Sequence, residues 1–342
     1  MRPPLSIPLV LVSLAAALAA AGCGDDGDDA AGSGEVTAVA TTTIAGDLVR
    51  AVGGDRVELD TLVPAGADPH DHEPRPSDAA ALAEADLVVK SGGDLDEWLD
   101  DLIDNAGGDA SELTLIDSVE AIEGGHAHEE EEAHADEDEA NADEAPAEEE
   151  PHAEEASDDV DPHWWQDPRN AVLAVEAIRD ALAEADPAGR RTYDRNARAY
   201  TSELRALDGG IERCMQRVPE EKRKLVTTHD SLGYFADRYD VEVIGSVIPS
   251  LSTQAQPSAK DVDDLVEQIE DEGVEAIFPE AAVSQRLEMA IARESGAEVG
   301  DELWADSLGG EGSGAETYLD AMRVNADALA EGMSGGRVSC GG

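Results

Sequence analysis

The stretch Asp161-Pro-His-Trp-Trp-Gln-Asp-Pro168 decides how this chain is read. It closes a long run of Glu, Asp and His, and Pro168 opens a strongly helical pattern, a place where the missing N–H of proline costs nothing. On either side the chain reads as two similar halves. His163 lies at their junction, and each half carries another histidine in a turn after a predicted strand: His70 in Gly66-Ala-Asp-Pro-His70 and His229 in Thr227-Thr-His229-Asp230. Three histidines on three loops are the pattern of a metal site between two lobes.

Working back from that junction, residues 124–159 carry His126, His128, His134 and His152 among Glu, Asp and Ala, with no Lys or Arg. Such a segment buries too little apolar surface to offset chain entropy, so it is expected to be disordered. It reads either as a weak, multivalent metal-collecting tether or as a solvated acidic linker whose histidines are incidental.

From Glu35 the first half, 35–167, alternates short apolar runs with helical patterns. Val36 to Thr43, Val57 to Val63, Leu87 to Val89 and Leu113 to Ile116 read as strands; Ile44 to Val52, Ser77 to Ala85 and Leu95 to Ala106 read as helices. This βαβ rhythm predicts an α/β fold with a mainly parallel sheet flanked by helices. Ligands of such sheets sit beyond the carboxyl ends of the strands, where Gly66 to Arg75 falls.

Beyond Pro168, residues 168–218 are linking helices. Val172, Val175, Ile178 and Leu182 mark the first; Pro187, capped by Asp186, is expected to begin a second whose apolar stripe runs from Tyr193 to Val218. At 1.5 Å per residue that helix would span about 45 Å, enough to serve as one long spine for both lobes. The second half, 219–342, repeats the rhythm. Strands are expected at Leu225 to Thr228, Val241 to Ile248, Val274 to Phe278 and Ala297 to Trp304, with helices at Leu232 to Tyr239, Val262 to Ile269, Leu287 to Ala292 and Tyr318 to Leu329.

The N-terminus is a targeting segment rather than part of the fold. Arg2 precedes an apolar run from Leu9 to Ala21 that ends at Gly22-Cys23, an order that resembles a bacterial lipoprotein signal in residues 1–22, with Cys23 the lipid-attachment residue and 23–34 a flexible tether. An ordinary secretory signal is the alternative, and either one implies export. In an oxidising compartment Cys214 and Cys340 are then expected to pair as a disulfide.

Composition bounds the partners. The 342 residues, 41% hydrophobic, suffice for two core-bearing domains, built largely from Val, Leu, Ile and Ala because aromatics make up only 3%. A net charge of −56 argues against nucleic acid, and against anionic lipid headgroups meeting the folded surface. A cationic ligand fits it, as does adaptation to high salt.

Five segments, in order, carry a family resemblance: Ala67-Asp-Pro-His-Asp-His-Glu-Pro-Arg-Pro-Ser-Asp78, Asp161 to Pro168, Thr228-His-Asp-Ser-Leu-Gly-Tyr-Phe235, Ile277-Phe-Pro-Glu280 and Leu303-Trp-Ala-Asp-Ser-Leu-Gly309. With the acidic insertion, they make nearly all of the mature chain similar to the zinc- and manganese-binding receptors of bacterial ABC importers. The resemblance implies two α/β lobes joined by a long helix, one metal ion in the interlobe cleft, and no enzymatic activity. It makes His70, His163, His229 and Asp306 the metal ligands, with Glu73 and Glu280 as candidate partners of the ligand imidazoles. Manganese-favouring members more often carry Glu at the position of His229, so His there implies Zn2+ over Mn2+. The partners implied are an importer permease with its ATPase, and the membrane reached through lipid at Cys23, for a monomer held at the outer face of the cytoplasmic membrane. A manganese receptor is the alternative within the family, and a surface zinc store or adhesion protein the alternative beyond it. A zinc hydrolase finds no His-Glu-x-x-His helix or serine nucleophile elbow.

Overall fold

Strand β1, Val36–Ala40, is buried along nearly its whole length, as expected of an apolar run with a neighbour on each side. The computed structural model describes residues 36–124 and 160–341. The expected signal, Cys23 as the expected lipid-attachment residue, the expected tether and all but the first residue of the acidic insertion lie outside them. No helix of the described residues is long and apolar enough to cross a membrane.

Strands β1, β2 (Val57–Thr61), β3 (Leu87–Lys90) and β4 (Ser111–Thr114) form a parallel sheet in the order β2-β1-β3-β4. The edge strand β2 alternates half-buried and exposed residues, while β3 buries three of its four. Helices α1 (Thr43–Gly53), α2 (Pro76–Glu84) and α3 (Trp98–Ala106) follow the first three strands. Thr42 caps α1 by accepting from the Ala45 N–H at 3.1 Å. The fourth strand ends earlier than its apolar run, because Leu115 and Ile116 bury themselves from a 3-10 turn.

The second half repeats this topology. Strand β5 (Lys224–His229) pairs in parallel with β6 (Glu242–Ile248), β7 (Ala276–Ile277) with β8 (Glu298–Val299), and a parallel bridge from Thr227 to Phe278 joins the two pairs as β6-β5-β7-β8. The last two strands are much shorter than their apolar runs. Gly300 and Asp301 interrupt the ladder, which resumes only as a bridge between Glu280 and Leu303. Helices α6 (Gly233–Tyr239), α7 (Ala259–Glu272), α8 (Arg286–Ser295) and α9 (Tyr318–Ser334) flank these strands.

Between the halves run α4 (Pro168–Ala185) and α5 (Arg190–Met215). Asp167 caps α4 through the Arg169 N–H. The start of α5 differs from expectation: Asp186 does not cap a helix beginning at Pro187. One carboxylate oxygen accepts from Arg56 at 2.6 and 2.9 Å and from the Tyr193 hydroxyl at 2.9 Å, while the other accepts from the Ala188 N–H at 3.1 Å and closes a turn ahead of the helix. The helix therefore begins three residues later, and its 26 residues span about 39 Å. Its buried face, including Tyr193, Ala197, Leu204, Leu207 and Ile211, belongs to one core that continues into both halves. The described residues accordingly form one compact unit.

Cys214, in the last turn of α5, is disulfide-bonded to Cys340 beyond α9, across 126 residues of sequence. A loop of that size loses about 5 kcal/mol of unfolded-state entropy in the chain-entropy model, an upper value. Reduction of the purified protein should release two thiols besides Cys23 and lower its melting temperature, as read by calorimetry with and without reductant; two free thiols before reduction would contradict the bridge.

Candidate metal centre

The three histidines and Asp306 leave different elements and arrive at one point. His70 lies in a 3-10 turn after β2, which Pro69 starts and the Asp68 side chain caps through the His70 N–H at 2.9 Å. Gly66, with φ of 72°, turns its N–H onto the Leu308 carbonyl at 2.8 Å and the Ser307 hydroxyl at 3.0 Å, tying this loop to the segment that carries Asp306. His229 is the last residue of β5, and His163 precedes the turn that leads into α4.

Their metal-binding atoms all lie within 4.8 Å of one another. Asp306 Oδ2 is 3.3 Å from His229 Nε2 and 3.5 Å from His70 Nε2; Asp306 Oδ1 is 3.6 Å from His163 Nε2, which is 3.2 Å from His229 Nε2. The pairs of Asp306 Oδ2 with His229 and His70, and of His163 with His229, have the spacing of donors about 2.0–2.2 Å from a shared ion, while His163 faces the other carboxylate oxygen, so both oxygens of Asp306 look into the cluster. His163 and His229 are fully buried, while His70 Nε2 and Asp306 Oδ1 are buried without a hydrogen-bond partner. Polar atoms so placed are costly unless something else satisfies them, and a cation does so for all four.

Two carboxylates orient the rings from behind. Asp161 Oδ1 lies 2.7 Å from His163 Nδ1, and Glu280 Oε1 lies 2.7 Å from His229 Nδ1. With Nδ1–H donated to a carboxylate, the Nε2 lone pair faces the centre. Glu280 thus stands beside the His229 ring nitrogen that faces away from Asp306. Glu73 does not: it is exposed, and among the described residues no ring of the four-residue cluster bonds to it. Sequence reasoning missed Asp161 in this part, although an Asp two residues before a ligand candidate is well placed to accept both that residue's N–H, here at 2.8 Å, and its ring. His72 faces elsewhere, against Trp98 at 4.7 Å between ring centroids and 3.5 Å from Asp78 Oδ2.

Trp165 packs edge-on against His163, with ring centroids 5.5 Å apart. Trp164 is not at the surface. It is wholly buried and donates its indole N–H to the Ser91 carbonyl at 3.2 Å.

Burial alone would depress the basicity of His163 and His229. Asp306 and Asp161 nevertheless hold His163 above the ordinary imidazole range, and Glu280 and Asp306 hold His229 well above it. Burial alone would raise Asp306, but the facing His229 and His163 hold it well below the usual carboxylate range. The facing carboxylates thus favour positive charge among the rings.

The family model described as "Zinc-uptake complex component A periplasmic" matches residues 38–332, and the chain belongs to that family. Its members are metal-binding solute receptors, not enzymes, and this chain is a metal-binding substrate-binding protein of the ABC-transporter class. The manganese-binding lipoprotein MntA of Halalkalibacterium halodurans is 32% identical over 324 residues, covering 94% of this chain and 97% of that one. The iron-binding protein YfeA of Yersinia pestis is 27% identical over 296 residues, covering 86% and 85%. The periplasmic zinc-binding protein TroA of Treponema pallidum has the same fold, with a TM-score of 0.73 at 24% identity over 88% of this chain and 100% of its own.

Metal competes with protonation of the raised imidazoles, so affinity should rise with pH through their range and fall by up to about tenfold per unit below it. The raised imidazoles stabilise the metal-free fold below their unfolded pKa, and that stabilisation is lost as pH rises through the folded value. The metal-induced gain in melting temperature should therefore be larger at pH 8 than at about pH 6. A gain independent of pH would argue against imidazole ligands.

Proposed function

We propose that the protein is an extracytoplasmic receptor that captures Zn2+ between its two sheets and delivers it to the permease of an ABC importer and its ATPase. It is held at the outer face of the cytoplasmic membrane by lipid on Cys23 and acts as a monomer. The metal is cargo, bound without chemistry. Its ligands are His70, His163, His229 and Asp306, with Asp161 and Glu280 holding two of the rings. The observation that carries this reading is the convergence of three imidazoles and one carboxylate, with donor atoms within 4.8 Å of one another. Three nitrogens and one oxygen suit zinc, whereas manganese favours oxygen-rich, six-coordinate sites. Lipid attachment is supported by the Gly22-Cys23 junction and by relatives that are named lipoproteins.

A manganese reading is favoured by the names of several relatives, the 32% identical one from Halalkalibacterium halodurans and two streptococcal lipoproteins among them. Metal analysis after equilibrium with equal zinc and manganese separates the two. The expected outcome is one zinc per chain; manganese retained in such a mixture would overturn the zinc assignment. His229→Glu should narrow the preference, because it exchanges a nitrogen for an oxygen.

Asp306→Ala should weaken zinc binding much more than Glu280→Gln, for which a loss of about 10- to 100-fold is expected of a group acting through a ligand imidazole. Calorimetric titration of both variants checks this, and the reverse order would remove Asp306 from the ligand set. The mass of the mature N-terminal peptide from membranes tests the anchor: a diacylated Cys23 is expected, and an unmodified terminus elsewhere would reject it.

A further inference from the structure

The exposed side of α5 runs against the charge of the whole molecule. A chain of net charge −56 places six arginines on this helix against four carboxylates. At 100° per residue, Arg191, Arg195, Arg198, Arg205 and Arg213 fall within about 80° of arc, opposite the buried face. All five are exposed. The same arc otherwise holds only Ser202 and Gly209, with no acidic or large apolar residue. Asp194 and Glu212 flank it, but Asp194 lies 3.9 Å from Arg179 and Glu212 3.4 Å from Arg238. Among the described residues none of the five arginines forms an ion pair. From Arg191 to Arg213, 22 residues at 1.5 Å, the row is about 33 Å long.

We propose that this arginine face is a docking surface for the anionic headgroups of the membrane, and that it lays the receptor on its spine helix. The inference rests on the lipid-anchored reading above. Three observations point to a bilayer. The row is straight and confined to one arc, so a single plane tangent to the helix meets all five guanidiniums. Guanidinium is the side chain best suited to phosphate, through paired N–H donors. With 13 residues from Cys23 to Val36, the tether reaches at most about 45 Å, so the body stays close to that plane. The total charge does not forbid this contact, because screening over about 8 Å at physiological salt separates the headgroups from carboxylates on the far side of the body. Net charge alone had argued against such contact, and its distribution supplies a local exception.

The test uses the mature chain from Cys23, coupled through that thiol to a maleimide lipid in vesicles, so that it does not depend on native lipidation. Arginine modification by phenylglyoxal is followed residue by residue by mass spectrometry, on neutral phosphatidylcholine and on vesicles about one-third phosphatidylglycerol. Modification of the five α5 arginines should be slower on the anionic vesicles, by about threefold or more, and high salt should abolish the difference. Arg286 and Arg293, exposed on α8, serve as internal controls and should not change. Equal rates on the two kinds of vesicle, or equal protection of Arg286 and Arg293, would overturn the proposal. A failed anchor would instead appear in the N-terminal peptide, independently of this result.

Discussion

Two buried contacts made by neighbouring tryptophans hold the halves of this molecule in register. Trp164 donates to the Ser91 carbonyl just after β3, whereas Trp165 and Gln166 both donate to the Ala305 carbonyl at 2.8 Å, one residue before Asp306. His163 immediately precedes them in the chain. A turn of a few residues thus fixes a histidine, the end of a strand in the first half and the acidic segment of the second. Tyr318 adds a hydrogen bond from the start of α9 to the Trp165 carbonyl. Buried donors of this kind specify a unique arrangement, because any slippage would leave an indole or an amide unsatisfied.

The electrostatics of the centre follow from that placement. Asp306 is surrounded by imidazoles, while Asp161 and Glu280 stand behind two of them. Enclosed in protein, the cluster favours a positive charge at its middle, and a proton or a divalent ion can supply it. The contacts between the first half and the Ser307 and Leu308 segment, through Gly66 and Thr43, keep the anion beside His70. Preorganisation of this kind lets the site bind without rebuilding its surroundings.

The repeated sheet order explains why the histidines of the two halves reach the same place. In each half the central strand is flanked by the second on one side and the third on the other, and His70 and His229 leave the carboxyl ends of such strands. The relation is imperfect. His229 ends a central strand, while His70 lies in the loop after an edge strand, and that loop must be tied back by Asp68 and Gly66 to meet it.

The sequence by itself determined the α/β rhythm, the spine helix and the three histidines in turns, because apolar periodicity and turn chemistry are local signals; the Cys214 and Cys340 pairing followed from the expected export. Asp306 and Glu280 were found through motif resemblance, since nothing local distinguishes a carboxylate at a strand end from any other polar residue. The true start of α5 was hidden, because Arg56 and Tyr193 compete for Asp186 from distant or later positions. Burial of Trp164 was hidden too, since its partner is 73 residues away. The arginine face of α5 was legible residue by residue, yet only the packed helix decided which side of it would be exposed.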